Sequence, residues 1–130
     1  MPESSQWYPY LTGSQVLRYF ARFTGASASE QDEILERVGL TPHRDKKVAA
    51  YSKGMRQKLG LAQAILGSPD LIVLDEPTNG LDPPGILDFY GILQERAAEG
   101  VAIVLSSHLL AEIEGRTTHV AFLRDGRIAA

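Results

Sequence analysis

The chain has 130 residues, a formal net charge of -3, and 44% hydrophobic against 22% charged side chains, which suits one globular domain at most. No apolar run approaches the roughly 18 residues of a membrane-crossing helix, and Met1 to Ser5 lacks the basic start and apolar stretch of a secretion signal. Cysteine is absent, which excludes disulfide frameworks and thiolate metal sites, and the mild acidity argues against a broad nucleic-acid surface. A cytosolic protein is the plain expectation.

The first half reads as helical. Thr12 and Gln15 have the spacing of a capping box, and Val16, Leu17, Phe20 and Phe23 behind them form an apolar face at helical spacing. A second helix is expected from about Ser29 to Val38, with Gly39 suited to a left-handed C-terminal cap. After a polar connection holding Lys46 and Lys47, a third helix starts behind Ser52, buries Met55, Leu59, Ala62 and Ile65, and stops at Gly67-Ser68-Pro69.

The second half changes period. Leu71 to Leu74 is a continuous apolar run ending in Asp75-Glu76-Pro77, as expected of a strand covered on both faces of a parallel sheet. Asp82 can cap a helix with Pro83 at its first position, running through Ile86, Leu87, Tyr90 and Leu93 to a stop at Gly100. Val101 to Leu105 is a second buried strand, ending in Ser106-Ser107-His108, and strand, helix, strand implies a right-handed parallel crossover. A short helix follows, then Val120 to Arg127, where Asp125-Gly126 signals a tight hairpin. The expected fold is α/β: half of a parallel sheet flanked by helices and preceded by an α-helical subdomain.

Three segments can carry chemistry. In open parallel sheets ligands bind beyond the carboxyl ends of strands, and two acids there suit a cation or a water to be activated. On that reading Asp75 holds Mg²⁺ of a bound nucleotide, through water, and Glu76 polarises the attacking water; the plainer reading is a strand reaching solvent at an acidic turn. Tyr51-Ser52-Lys53-Gly54-Met55 opens a helix, whose free N–H groups readily hold phosphate, with Ser52 adding a hydroxyl, Lys53 charge and Gly54 room for close approach. Ser52 as a simple cap and Gly54 as a simple bend explain the same residues. His108 can bond a terminal phosphate and the Glu76 carboxylate, or be an exposed loop residue.

The order of these pieces is more specific than any one of them. Ser-x-Gly opening a helix, then Leu71-Ile-Val-Leu-Asp-Glu-Pro-Thr-Asn-Gly-Leu-Asp-Pro83, then Leu105-Ser-Ser-His108, resembles the ATP-binding domain of ABC transporters over nearly the whole chain. The resemblance implies that Tyr51 to Met55 is the signature motif, with Ser52, Lys53, Gly54 and Met55 facing nucleotide; Leu71 to Glu76 is Walker B, with Asp75 on Mg²⁺ and Glu76 catalytic; Asn79 to Asp82 is the D-loop; and His108 is the switch histidine. The opening segment resembles the stretch after the Q-loop in bacterial drug and peptide exporters, with Glu3 in the position of the Q-loop glutamine and Tyr8 to Leu11 approaching a membrane partner. Residues 1–67 would then be the helical subdomain and 68–130 the back half of the ATPase α/β core, a partial P-loop NTPase-like parallel sheet.

The resemblance further implies ATP and Mg²⁺ as cofactors, a second ABC ATPase domain meeting this one head to tail, a transmembrane permease subunit, no nucleic acid, and a place on the cytoplasmic face of the membrane. Two departures stand out. Lys53 and Met55 replace a glycine and the glutamine of the commonest signature, and no Gly-x-x-x-x-Gly-Lys-[Ser/Thr] loop occurs in these residues. ATP hydrolysis by this chain alone is therefore not expected. Two other classes compete: a non-catalytic half-domain that docks on an intact ABC ATPase, against which an intact Glu76 and His108 count, and a soluble ABC ATPase acting on ribosomes or DNA, against which the short helical block counts.

Overall fold

Five α-helices and two pairs of strands follow one another along residues 7–129, the residues that the computed structural model describes. Helix α1 (Gly13–Thr24) begins with both bonds of the capping box: Thr12 Oγ1 accepts from the Gln15 N–H at 3.2 Å, and Gln15 Oε1 accepts from the Thr12 N–H at 2.9 Å. Val16, Leu17 and Ala21 enter the core and Phe20 packs against it. Phe23, expected on the same face, is 75% exposed and lies edge-on to Tyr19 instead, so the apolar stripe turns off the core in the last turn.

Helix α2 (Ala28–Arg37) is capped by Ser27 Oγ and closed by Gly39 at φ 76°. Two short 3-10 turns, Thr41–His43 and Val48–Ala50, lead to α3 (Lys53–Ile65), whose Leu59, Ala62 and Ile65 are fully buried, with Met55 packed on the rim. Tyr51, just before α3, is buried and its hydroxyl donates to the His43 carbonyl at 2.7 Å.

Strands β1 (Leu71–Asp75) and β2 (Ala102–Ser106) pair in parallel, in a register running from Leu71 opposite Ala102 to Asp75 opposite Ser106. Burial on both faces was the sequence expectation, and the structure corrects it. Ile72 and Leu74 are buried, but Leu71 and Val73 are 55% and 53% exposed and Val104 is 58% exposed. Helices α3 and α4 (Pro83–Ala98) pack on these strands and, among the described residues, cover one face only. Strong β-formers such as Val and Ile announce a strand, but the cover on each face is supplied by other elements.

Asp82 caps α4 and Pro83 is its first residue; Phe89, Tyr90, Ile92 and Leu93 face inward, while Leu87 is exposed. Arg37 at the end of α2 reaches across to α4, bonding both oxygens of Glu95 at 3.0 and 2.7 Å and Asp88 at 3.0 Å. One buried cluster runs from Val16 to Leu93, so the helical block and the strand region share a core. The chain continues through the single turn α5 (Leu110–Ile113) to the antiparallel pair β3 (Leu123–Arg124) and β4 (Arg127–Ile128), joined through Asp125 at φ 51° and Gly126 at φ 74°. Two left-handed residues make the two-residue turn that matches strand twist.

Candidate functional site

Beyond the last residue of β1 the backbone turns sharply. Glu76 sits at φ 44°, in the left-handed region that costs a non-glycine residue about 1–2 kcal/mol. Ser106 supports this conformation from the neighbouring strand. Its Oγ accepts from the Glu76 N–H at 3.0 Å and donates to Asp75 Oδ1 at 2.6 Å. One hydroxyl can serve both acids because the register sets Ser106 directly opposite Asp75.

The Glu76 side chain is thereby aimed at His108, with Oε2 3.0 Å from Nδ1. A carboxylate accepts, so Nδ1 carries a proton in this contact and Nε2 is the nitrogen free to face a ligand. The Glu76 side chain is 22% exposed and that of His108 63%, so the acid is mostly covered and the imidazole is open. Asp75 is exposed at the strand end. Among the described residues no three His, Cys, Asp or Glu side chains cluster to hold a metal by themselves. A single exposed carboxylate suits a Mg²⁺ whose other ligands are phosphate oxygens and water.

A second group forms where the N-terminus of α3 meets the turn after Glu76. Ser52 Oγ accepts from the Met55 N–H at 3.1 Å, a cap that leaves the hydroxyl proton unused in that bond. Gly54 closely faces the Gly80 carbonyl: a Cβ at Gly54 would stand 3.2 Å from that oxygen. Asp82 is engaged as the cap of α4, its Oδ1 accepting from the Gly85 N–H at 3.0 Å. The structure thus brings Asp75, Glu76 and His108 together, and sets Lys53 and Gly54 against Gly80 and Leu81, with Ser52 and Met55 on either side of them in the chain. Glu3 lies outside the described residues. Sequence reading missed Ser106; the strand register, which pairs a hydroxyl with Asp75, is the signal that finds it.

On another side, a groove of about 470 Å³ is lined by Trp7, Tyr8, Pro9, Leu11, Tyr19 and Phe20 among others. Trp7 is anchored by its Nε1–H to Gln63 Oε1 at 2.9 Å, while Tyr8 and Tyr19 are 63% and 48% exposed. Among the described residues no helix is long and apolar enough to cross a membrane.

The family described as "ABC transporter" matches residues 2–79. An uncharacterized ABC transporter ATP-binding protein of Bacillus subtilis, YdbJ, is 49% identical over 130 residues, covering 98% of this chain and 42% of its own length. The bacitracin transport ATP-binding protein BcrA of Bacillus licheniformis is 41% identical over 124 residues, covering 94% of this chain and 40% of its own length. A solved structure of an ATP-binding subunit of an ABC transporter superposes with a TM-score of 0.90 at 34% identity, over 99% of this chain and 55% of that one. The chain therefore spans under half the length of these two curated relatives. With the motif order, the paired strands and these likenesses in agreement, the chain belongs to the ABC transporter family of ATP-binding proteins.

Proposed function

We propose that this chain is the signature-bearing helical block (residues 1–67) and the catalytic back half (residues 68–130) of an ATP-hydrolysing subunit that drives an ABC exporter. The observation that carries the reading is the Glu76–His108 contact at 3.0 Å, with Glu76 held in its turn by Ser106. Glu76 draws a proton from the attacking water, and His108, with Nδ1 bound to Glu76, turns Nε2 toward the terminal phosphate. Asp75 is the protein's oxygen for Mg²⁺, which when bound neutralises the charge developing on the phosphates.

Ser52 and Gly54 present the N-terminal end of α3 to phosphate, and Lys53 adds positive charge there. In a head-to-tail pair this end closes the nucleotide held by the other domain, with Asp82 relaying between the two sites and Glu3 sensing the terminal phosphate. The aromatic groove around Tyr8 and Tyr19 suits contact with a membrane-embedded subunit, and in this reading the protein works on the cytoplasmic face. The exporter direction follows the likeness, at 37% identity over 123 residues, to a Mycobacterium tuberculosis protein named as a fluoroquinolones export ATP-binding protein. The competing reading, a half-domain without catalysis, has no use for a supported Glu76–His108 pair.

The test joins this chain behind the front portion of the Bacillus subtilis relative. The fusion is expected to hydrolyse Mg-ATP, and Glu76→Gln to retain ATP binding while losing about 100-fold or more in turnover, the usual worth of a general base. Equal turnover with and without Glu76 would overturn the assignment.

A further inference from the structure

The switch segment has little to hold it. Helix α5 is one turn long, has no side-chain cap and buries none of its residues. A single turn has almost no stability of its own. Yet His108, two residues before α5, must be kept on Glu76. We propose that Thr78 and Glu112 form a second rung beside the Glu76–His108 contact, and that Glu112 is a positioning residue for the switch histidine. This rests on the reading of Glu76 and His108 given above.

Thr78 Oγ1 donates to Glu112 Oε2 at 2.6 Å, and Thr78 is 7% exposed. A bond to a carboxylate is stronger than a neutral one, and here it is sheltered from competing water. The two rungs join the same two segments: Glu76 and Thr78 stand two residues apart on one, His108 and Glu112 four apart on the other. The Thr78 end is rigid, because its carbonyl accepts from the Leu81 N–H at 3.0 Å.

The Glu112 end is backed by Arg116. The Arg116 guanidinium donates to the Glu112 carbonyl and lies 5.0 Å from the centre of the Tyr90 ring on α4. Tyr90 is buried, and burial followed by the nearby Glu112 charge pushes its phenol upward, which keeps it neutral beneath the latch. Thus α4, the turn after β1 and α5 meet at Glu112, and His108 follows.

The experiment is nuclear magnetic resonance of the 130-residue chain, reading the His108 ring nitrogens for tautomer and the 109–114 amides for exchange, with the Trp7 indole N–H as a check of the fold. Wild type is expected to show the Nδ1–H tautomer. Thr78→Val should give a tautomer mixture and about tenfold faster exchange, and Thr78→Ser, which keeps the hydroxyl, should restore both. Were Thr78→Val to lose the Trp7 signal, Glu112→Gln is read in its place, with a weakened tautomer preference expected. An unchanged His108 spectrum in Thr78→Val, or in its substitute, overturns the proposal. The underlying reading fails separately: Glu76→Gln would then leave the wild-type His108 spectrum unaltered.

Discussion

The stem of Lys53 lies directly over the α-carbon of Gly80. A Cβ at Gly80 would stand 2.6 Å from Lys53 Cγ and 2.7 Å from its Cδ, and Gly80 itself has φ 87°. Lys53, one of the two residues that depart from the commonest signature, thus packs on the turn after Glu76, and only a glycine there leaves it room. Gly80→Ala is expected to destabilise the chain by about 1–3 kcal/mol, from strained backbone and collision together. Lys53→Ala removes Cγ and Cδ and keeps only the Cβ at 3.1 Å, so the double variant should recover most of the steric part and leave the backbone part. Urea unfolding of the four chains measures the coupling; simple additivity would mean that the contact costs nothing.

Ser106→Ala removes the hydroxyl shared by Asp75 and the Glu76 N–H. Both groups are open enough to be rehydrated, so the stability loss should be small, about 1 kcal/mol. In the fusion with the relative's front portion the effect on turnover should be larger, about tenfold, because Glu76 no longer has support for its left-handed turn. A change in stability with full turnover would separate Ser106 from the placement of Glu76.

Arg37 bonds Glu95 and Asp88 across two helices, and its hydrogen bond holds the Glu95 carboxyl below the usual carboxylate range. A depressed folded-state value means that the stabilisation is present above the unfolded value and is lost as pH falls through the folded one. Wild type should exceed Arg37→Met by about 0.5–1 kcal/mol at neutral pH, modest because the pair is solvent-exposed. The gap should close below about pH 4 and narrow in salt. Thermal unfolding across pH tests this, and a constant gap into strong acid would count against it.

Tyr51 ties the entry of α3 to the His43 carbonyl at 2.7 Å, and Gly13 passes so close that a Cβ there would collide with the Tyr51 hydroxyl. Tyr51→Phe should cost about 1 kcal/mol by removing this bond, since the His43 carbonyl still accepts from the Lys46 N–H at 3.1 Å. Gly13→Ala should be better tolerated in the Tyr51→Phe chain than in wild type, since the colliding oxygen is gone. Denaturant melts of the single and double variants give the sign.

Much of this architecture is written in local chemistry. The capping box of Thr12 and Gln15, the caps at Ser52 and Asp82, the left-handed Gly39 and the Asp125-Gly126 hairpin are all legible, because each is settled within a few residues by backbone geometry and unpaired N–H groups. The string from Asp75 to Pro83 and the order of the motifs likewise pointed to the family before any coordinates.

Tertiary structure decided what local pattern leaves open. Phe23 and Leu87 fit their helical periods yet face outward, and Leu71 and Val73 look like buried strand residues yet lie on an uncovered face, because burial depends on which elements arrive from elsewhere in the chain. The same holds at the site. Asp75, Glu76 and His108 could be named from the sequence, but their support by Ser106 depends on a strand register, and the Thr78–Glu112 contact on a close packing of segments 34 residues apart. Residue type supplies the chemistry of each group; only the fold fixes the distances over which hydrogen bonds act.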